Sequence, residues 1–219
     1  MAQRKEYTRE LEELHESMIR LGSRVETALD LAAQAVKTCD EKICRQVIKG
    51  DDEIDLLTEI IDQNCVLLIA RQQPVASDLR DITSDLKLVA DLERMADHAE
   101  DICEHVLHIR EGQQSAPAPA RLLQMFQACK NMTARSLDAY VTRSREQAQK
   151  VLCMDEEVDE LYHELRREIP ELMREQPELI DTYIEWLMIA KHIERFADHA
   201  ENVAEWVIYY LDGKFDIHG

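Results

Sequence analysis

Glycine and proline are scarce in this chain, five of each in 219 residues, and aromatic residues make up only 5%. A sheet protein would need turn residues and β-branched or aromatic side chains in quantity. Ala, Leu, Glu, Asp, Arg and Ile dominate instead, which points to a few long helices. Basic residues are also short, 26 Lys and Arg against 45 Asp and Glu, for a formal net charge of −19. So little positive charge cannot neutralise a phosphate backbone, which argues against nucleic acid as a partner and against adsorption to anionic lipid. An acid excess of this size suits cations or a basic protein surface. The six cysteines, Cys39, Cys44, Cys65, Cys103, Cys129 and Cys153, form no CxxC pair, so neither a thiolate zinc site nor a dithiol redox motif is expected. No stretch approaches ~18 uninterrupted apolar residues, and Met1 to Glu6 carry no signal-peptide run. A reduced, soluble, cytoplasmic protein without direct membrane insertion is expected. P-loops, Gly-rich nucleotide loops and Ser/His/Asp or Cys/His nucleophile patterns are missing too, so no catalytic residue is assigned.

What is present is helical periodicity. Leu11, Leu14, Met18, Leu21, Val25, Ala28, Ala32 and Ala35 repeat at spacings of three and four, predicting a helix over about residues 5–38. Asp40 is placed to cap a second helix with the buried line Ile54, Leu57, Ile61, Cys65 and Leu68, ending near Gln72 because Pro74 follows. A third, starting at Ala76 or Ser77, carries Leu79, Ile82, Leu86, Val89, Leu92, Ala96, Ala99, Ile102 and Val106 to about Glu111. Residues 113–119 read as a small, polar, Pro-bearing linker. Beyond it, Leu122, Met125, Cys129 and Met132 mark a fourth helix, and Val158, Leu161, Leu165, Ile169 and Leu172 a fifth, in which Pro170 should cause a kink or an end. A sixth runs from after Pro177 through Trp186 and Ile193 to Leu211, with Gly213 as its C-terminal cap. The fold class predicted is all-α, two pseudo-symmetric three-helix bundles, spanning 1–112 and 120–219.

The bundles are an internal repeat. At an offset of 101, Glu93-Arg94-x-x-Asp97-His98-Ala99-Glu100 falls on Glu194-Arg195-x-x-Asp198-His199-Ala200-Glu201. At an offset of 104, Asp51 and Asp55 fall on Asp155 and Asp159. At about 100° per residue, Glu93, Asp97, Glu100 and Glu104 lie within a stripe roughly 60° wide, as do Glu194, Asp198, Glu201 and Glu205. Like charges at i,i+4 repel by a few tenths of a kcal/mol per pair, so a stripe kept in both repeats asks for a counter-ion. Each stripe flanks the apolar line of its helix, and Asp51/Asp55 and Asp155/Asp159 flank theirs. Flanking positions on neighbouring helices can meet across one groove, the way bundle metal sites are assembled. An all-carboxylate set suits magnesium, manganese, calcium or iron. The plain alternative is a pair of solvated acidic rims. His98 and His199 are expected on the outer side. Arg94 and Arg195 are expected in structural ion pairs, with helix-two acids such as Asp52 or Glu156, or with the other bundle. A ferritin-like di-iron site needs Glu-x-x-His twice, and only Glu160-x-x-His163 is present.

The segment from Arg71-Gln72-Gln73-Pro74 to Arg80, followed by Asp91-Leu92-Glu93-Arg94-Met95-Ala96-Asp97-His98-Ala99-Glu100-Asp101-Ile102, resembles the hallmark of the PhoU family, accessory regulators of bacterial phosphate-specific transport. His192 to Glu205 resembles that family's second repeat, and the likeness extends over essentially the whole chain. The resemblance implies a non-enzymatic, cytoplasmic, commonly homodimeric negative regulator of phosphate-starvation signalling. It would act between the ATPase subunit of a phosphate ABC transporter and a membrane sensor histidine kinase. It also implies multinuclear metal centres, of iron or zinc in some members and magnesium or manganese in others. The E/D-x-x-x-D motifs map onto Glu93/Asp97 and Glu194/Asp198 with Asp51/Asp55 and Asp155/Asp159, and Glu100, Asp101 and Glu201 extend the candidate ligand set. Asp101 becomes Asn202 in the second repeat, so unequal metal sites are expected. A metal-dependent hydrolase or oxidase and a purely structural adaptor are the rival functions.

Overall fold

The computed structural model describes residues 2–74, 77–112 and 116–213, with side chains from Glu6 onward. The first three linker positions, 113–115, and the alternative helix start at Ala76 lie outside the described residues. Those described form seven α-helices and one 3-10 turn: α1 (Ala2–Thr38), α2 (Glu41–Gln72), α3 (Ser77–Glu111), α4 (Ala120–Thr142), α5 (Arg145–Leu152), α6 (Asp155–Glu175), the turn Pro177–Leu179, and α7 (Ile180–Asp212). The expected boundaries have local causes. Asp40 accepts the Lys42 amide and caps α2. Gln73 ends α2 in the left-handed conformation just before Pro74. Gly213, at φ 68°, closes α7 by donating its N–H to the Tyr209 carbonyl at 2.8 Å.

The second bundle departs from the expected three helices. Its middle member is two pieces: α5 tightens into a bond from the Met154 N–H to the Val151 carbonyl (2.8 Å), and α6 restarts at Asp155-Glu156-Glu157, acids that suit a helix N-terminus. Pro170 does not end α6, which continues to Glu175. A proline inside a helix costs about 3 kcal/mol. Val158, Leu165 and Ile169, all fully buried, outweigh this at roughly 1.5–3 kcal/mol each. The predicted seams are otherwise buried, except that Leu79 is exposed and Leu11, Leu57, Leu86, Leu161, Leu172 and Leu211 are only half-buried.

The two bundles share a single hydrophobic core that includes Leu21, Ile61, Leu92, Cys129, Ile169 and Trp186. They meet chiefly along α3 and α7, the most extensive helix pair in the molecule, and secondarily along α1 and α4, where the Lys130 Nζ lies 2.5 Å from Asp30. The pairings Asp91 with Trp206 and His105 with Glu185 show that α3 and α7 run antiparallel. Each third helix therefore has three occupied sides: two for its own bundle and one for the other.

Candidate functional site

One turn separates Asp51 from Asp55 on α2, and one turn separates Glu93 from Asp97 on α3, with Glu100 a further turn along. The α2–α3 packing brings these acids to one groove. Carboxylate oxygens of Asp51, Asp55 and Asp97 lie within 4.8 Å of one another. Asp51 is buried at 8% exposure, and its Oδ1 has no hydrogen-bond partner among the described residues. Burial, reinforced by Glu100, Asp55 and Asp97, pushes the Asp51 carboxyl up to about 7, with a carboxyl–carboxylate hydrogen bond to Glu100. Glu100 is raised as well, by burial above all. Glu93 is raised by burial and then by Asp97, Asp55 and Asp62. Asp62 belongs to the neighbourhood although no motif marked it; its place two turns beyond Asp55 was the available signal.

The second set lies between α6 and α7, but among the described residues only Asp51, Asp55 and Asp97 of the two sets gather three carboxylate oxygens within 4.8 Å. Burial and then Asp159, Asp198 and Glu194 raise Asp155 to about 6. Burial and then Asp155, Glu205, Asp198 and Asp159 raise Glu201 to about 7. Asp198 is raised chiefly by burial and Glu194. This cluster has a cation that the first lacks: Lys191 Nζ sits 2.5 Å from Glu194, and the residue 101 positions earlier is Ala90. Arg94 and Arg195 do not reach the helix-two acids expected for them. Arg94 binds Asp97 at 2.8 Å, and Arg195 lies 3.8 Å from both Glu194 and Asp198. Partners on the same helix, one turn away or next in sequence, are simply closer than those across the groove.

Asp101, placed by sequence with the carboxylate ligands, sits instead in the α3–α7 seam. Its Oδ2 is 3.4 Å from His98 Nδ1 and 3.1 Å from His192 Nδ1. His98 and His199 are not on an outer face either; they are half-buried at the same seam, because the antiparallel helix from the other bundle covers the side expected to meet solvent. Asn202 likewise donates to Asp91 at 3.1 Å. The Asp101/Asn202 difference therefore acts mainly on the seam, and Asp101 also adds to the charge that raises Glu100 in the first cluster. The seam residues Asp91, His192, His105 and Glu185 were missed. The readable signal was the spacing of seven between His98 and His105 and between His192 and His199, which places each pair on one stripe. Burial lowers the imidazole pKa of both His98 and His192.

The first set fits a hard divalent cation: the donors are all oxygen, three gather in one groove and the buried Asp51 Oδ1 lacks a partner; the second shares the donor type. Comparison with known proteins gives the wider setting. The PhoU domain pattern matches residues 18–106 and 122–207, one match per bundle. The chain is 40% identical over 210 residues to the phosphate-specific transport system accessory protein PhoU homolog of Aquifex aeolicus, covering 96% of this chain and 95% of that protein. It is 36% identical to the Clostridium acetobutylicum homolog, covering 96% of each. The crystal structure of PhoU from Pseudomonas aeruginosa superposes with a TM-score of 0.91 at 32% identity, over 95% of this chain and all of that one. The Streptococcus pneumoniae regulatory protein PhoU gives 0.88 at 33% identity, over 95% and 98%. With one domain match in each half and near-complete relatives on either side, the chain belongs to the PhoU family.

Proposed function

We propose that this chain is a non-enzymatic regulator of phosphate uptake and phosphate-starvation signalling, whose two carboxylate clusters bind divalent metal. The near full-length likeness to accessory proteins of phosphate-specific transport carries the regulatory reading. The unpartnered Asp51 Oδ1 among several acids supports the metal reading. Asp51, Asp55, Glu93, Asp97 and Glu100 would hold the first ion or ions, and Asp155, Asp159, Glu194, Asp198 and Glu201 the second. Magnesium, manganese or iron matches such oxygen donors better than softer ions. Bound metal supplies positive charge that lets the acids ionise together and ties α2 to α3 and α6 to α7. A metal that binds only the folded chain stabilises it by mass action.

The proposed partners are the ATPase subunit of a phosphate ABC transporter and a membrane sensor histidine kinase, met from the cytoplasmic side. A homodimer is proposed as the working form. The exposed apolar lines Leu56, Ile60 and Leu67 on α2 and Ile180, Ile184 and Met188 on α7 offer surfaces for these contacts. The two repeats, 1–112 and 120–219 with 113–119 between them, are proposed as its domains. The test is a pull-down from phosphate-replete cells, with Glu93→Ala/Asp97→Ala and Glu194→Ala/Asp198→Ala beside the wild type. Recovery of the transporter ATPase or kinase by the wild type and its loss in the variants is expected. Phosphate-ester turnover by metal-loaded protein, without capture of either partner, would replace this reading with the enzymatic one.

A further inference from the structure

The histidines of the α3–α7 seam belong to neither carboxylate cluster. We propose that His98, Asp101 and His192 form a separate binding site for a zinc-class divalent ion, between the two repeats. The three ligand atoms are already gathered: His98 Nδ1 and His192 Nδ1 are 3.3 Å apart, and Asp101 Oδ2 is 3.4 Å from the first and 3.1 Å from the second. Donors bound tetrahedrally at about 2.0–2.1 Å from zinc are separated from one another by roughly 3.3 Å. The triangle in the seam has the edge lengths of one face of that tetrahedron.

Hydrogen bonding alone serves this triangle poorly. Two imidazole nitrogens and one carboxylate oxygen lie together, so protons on both rings would face each other across 3.3 Å, while a single proton on one ring must serve both the other ring's lone pair and the Asp101 carboxylate. The opposite arm of the seam shows what a closed arrangement looks like. There Asp91, at the position equivalent to His192, accepts from His199 Nδ1 at 2.8 Å, Asn202 Nδ2 at 3.1 Å and Trp206 Nε1 at 3.0 Å. By the same offset of 101, His98, Asp101 and His105 stand for His199, Asn202 and Trp206. The exchange replaces a central acceptor ringed by donors with a central ring facing lone pairs. A cation restores the balance.

The surroundings suit entry and retention of an ion. The His98 and His192 side chains are only 19% and 17% exposed, while Asp101 is 42% exposed and opens the triangle to solvent. His105, whose ring centre is 5.2 Å from that of His192, is anchored by Glu185 at 2.6 Å and packs the inner side. Two imidazoles with one carboxylate select zinc, cobalt or nickel over magnesium, whereas the carboxylate clusters offer oxygen only.

Cobalt(II) titration of the chelator-stripped full-length protein tests this. Wild type is expected to bind one equivalent with the visible absorption of four-coordinate cobalt, displaced by Zn2+ and not by excess Mg2+. The His98→Gln/His192→Gln variant should lose that absorption and that equivalent, with its helical circular dichroism unchanged. Should the double variant fail to fold, Asp101→Asn carries the test, since it installs the residue type that the second repeat has at the equivalent place; it should weaken cobalt binding by about tenfold or more. Asp51→Asn/Asp155→Asn should leave the absorption in place, which separates this site from the metal reading of the carboxylate clusters. An unchanged spectrum in the seam variants, its loss in the Asp51→Asn/Asp155→Asn variant, or no four-coordinate spectrum in the wild type would overturn the site.

Discussion

Replacing Asp51 by asparagine should stabilise the protein or weaken it depending on whether metal is bound. In the metal-free protein the Asp51 carboxyl is raised from 3.8 to about 7, by burial first and then by Glu100, Asp55 and Asp97. A folded-state value above the unfolded one means that the folded chain holds the extra proton between about pH 4 and pH 7. Stability therefore falls as pH rises through that window and is level above it. A shift of about 3 units corresponds to roughly 4 kcal/mol. That figure is a ceiling, because the proton is shared with Glu100 and the groove relaxes; about 2 kcal/mol is the working value. The substituted amide carries no charge to bury, and it can donate to Glu100 where the protonated acid did. At pH 8 and without metal, Asp51→Asn should raise the melting temperature by about 4–8 °C, using roughly 2–4 °C per kcal/mol for a chain of this size. At pH 5, about one unit into that window of roughly three, the difference should shrink to about a third.

Manganese or magnesium should reverse the sign, because a neutral amide oxygen is a weaker ligand than the carboxylate it replaces. The assay is differential scanning calorimetry of wild type and variant at pH 5 and pH 8, with chelator and with saturating Mn2+. Asp85, Asp155 and Glu201 are raised into the same range, so the difference between variant and wild type is read, not either curve alone. A variant that melts lower than wild type at pH 8 in chelator, or a difference that metal does not change, would refute the account of Asp51 as a buried acid awaiting a cation.

Lys191→Ala should remove the counter-charge 2.5 Å from Glu194 and so make the second cluster resemble the first; isothermal titration with Mn2+ should show tighter binding there and closer affinities for the two sites. Tyr140→Phe deletes the hydroxyl that donates to the half-buried Asp85 at 2.9 Å and that also meets His15 Nδ1 at 3.1 Å. Leaving a buried acceptor unsatisfied costs about 1–3 kcal/mol. Urea melts should show the larger loss above pH 7, where Asp85, held up to about 7 by burial, must ionise without its donor. Thiol titration of the native protein should label Cys153 quickly and Cys39 more slowly, and should reach the buried Cys44, Cys65, Cys103 and Cys129 only in denaturant.

Helix order, the caps at Asp40 and Gly213, and most of the core were legible because each depends on neighbours within a few residues. The pairing of Asp51 with Asp97, and of Asp155 with Asp198, was legible for a further reason: a flank position on each of two consecutive helices has one groove to share. The seam was not. Whether His98 meets water or His192 depends on which face of α3 the other bundle covers, and the period of a single helix does not say. The same blindness misplaced Asp101, about 60° from His98 around the helix and thus as close to the seam as to the acidic stripe. The division of the middle helix at Cys153-Met154 went unread because neither residue is a strong helix breaker.

The two carboxylate clusters are copies in sequence and unequal in physics. Asp51 sits inside a continuous α2, buried at 8% exposure, whereas Asp155 opens α6, where the partial positive charge of the helix start favours an anion. The first cluster's basic neighbour is Arg94, a largely exposed side chain on Asp97; the second has Arg195 and also Lys191, only a third exposed and directly on Glu194. Both differences act in one direction. The second cluster can carry its charge with help from its own chain. The first has less internal compensation and deeper burial, so it gains more from an external cation. If the metal-free chain loosens anywhere as pH rises, it should be between α2 and α3, and metal binding there should tighten the molecule more than binding in the second bundle.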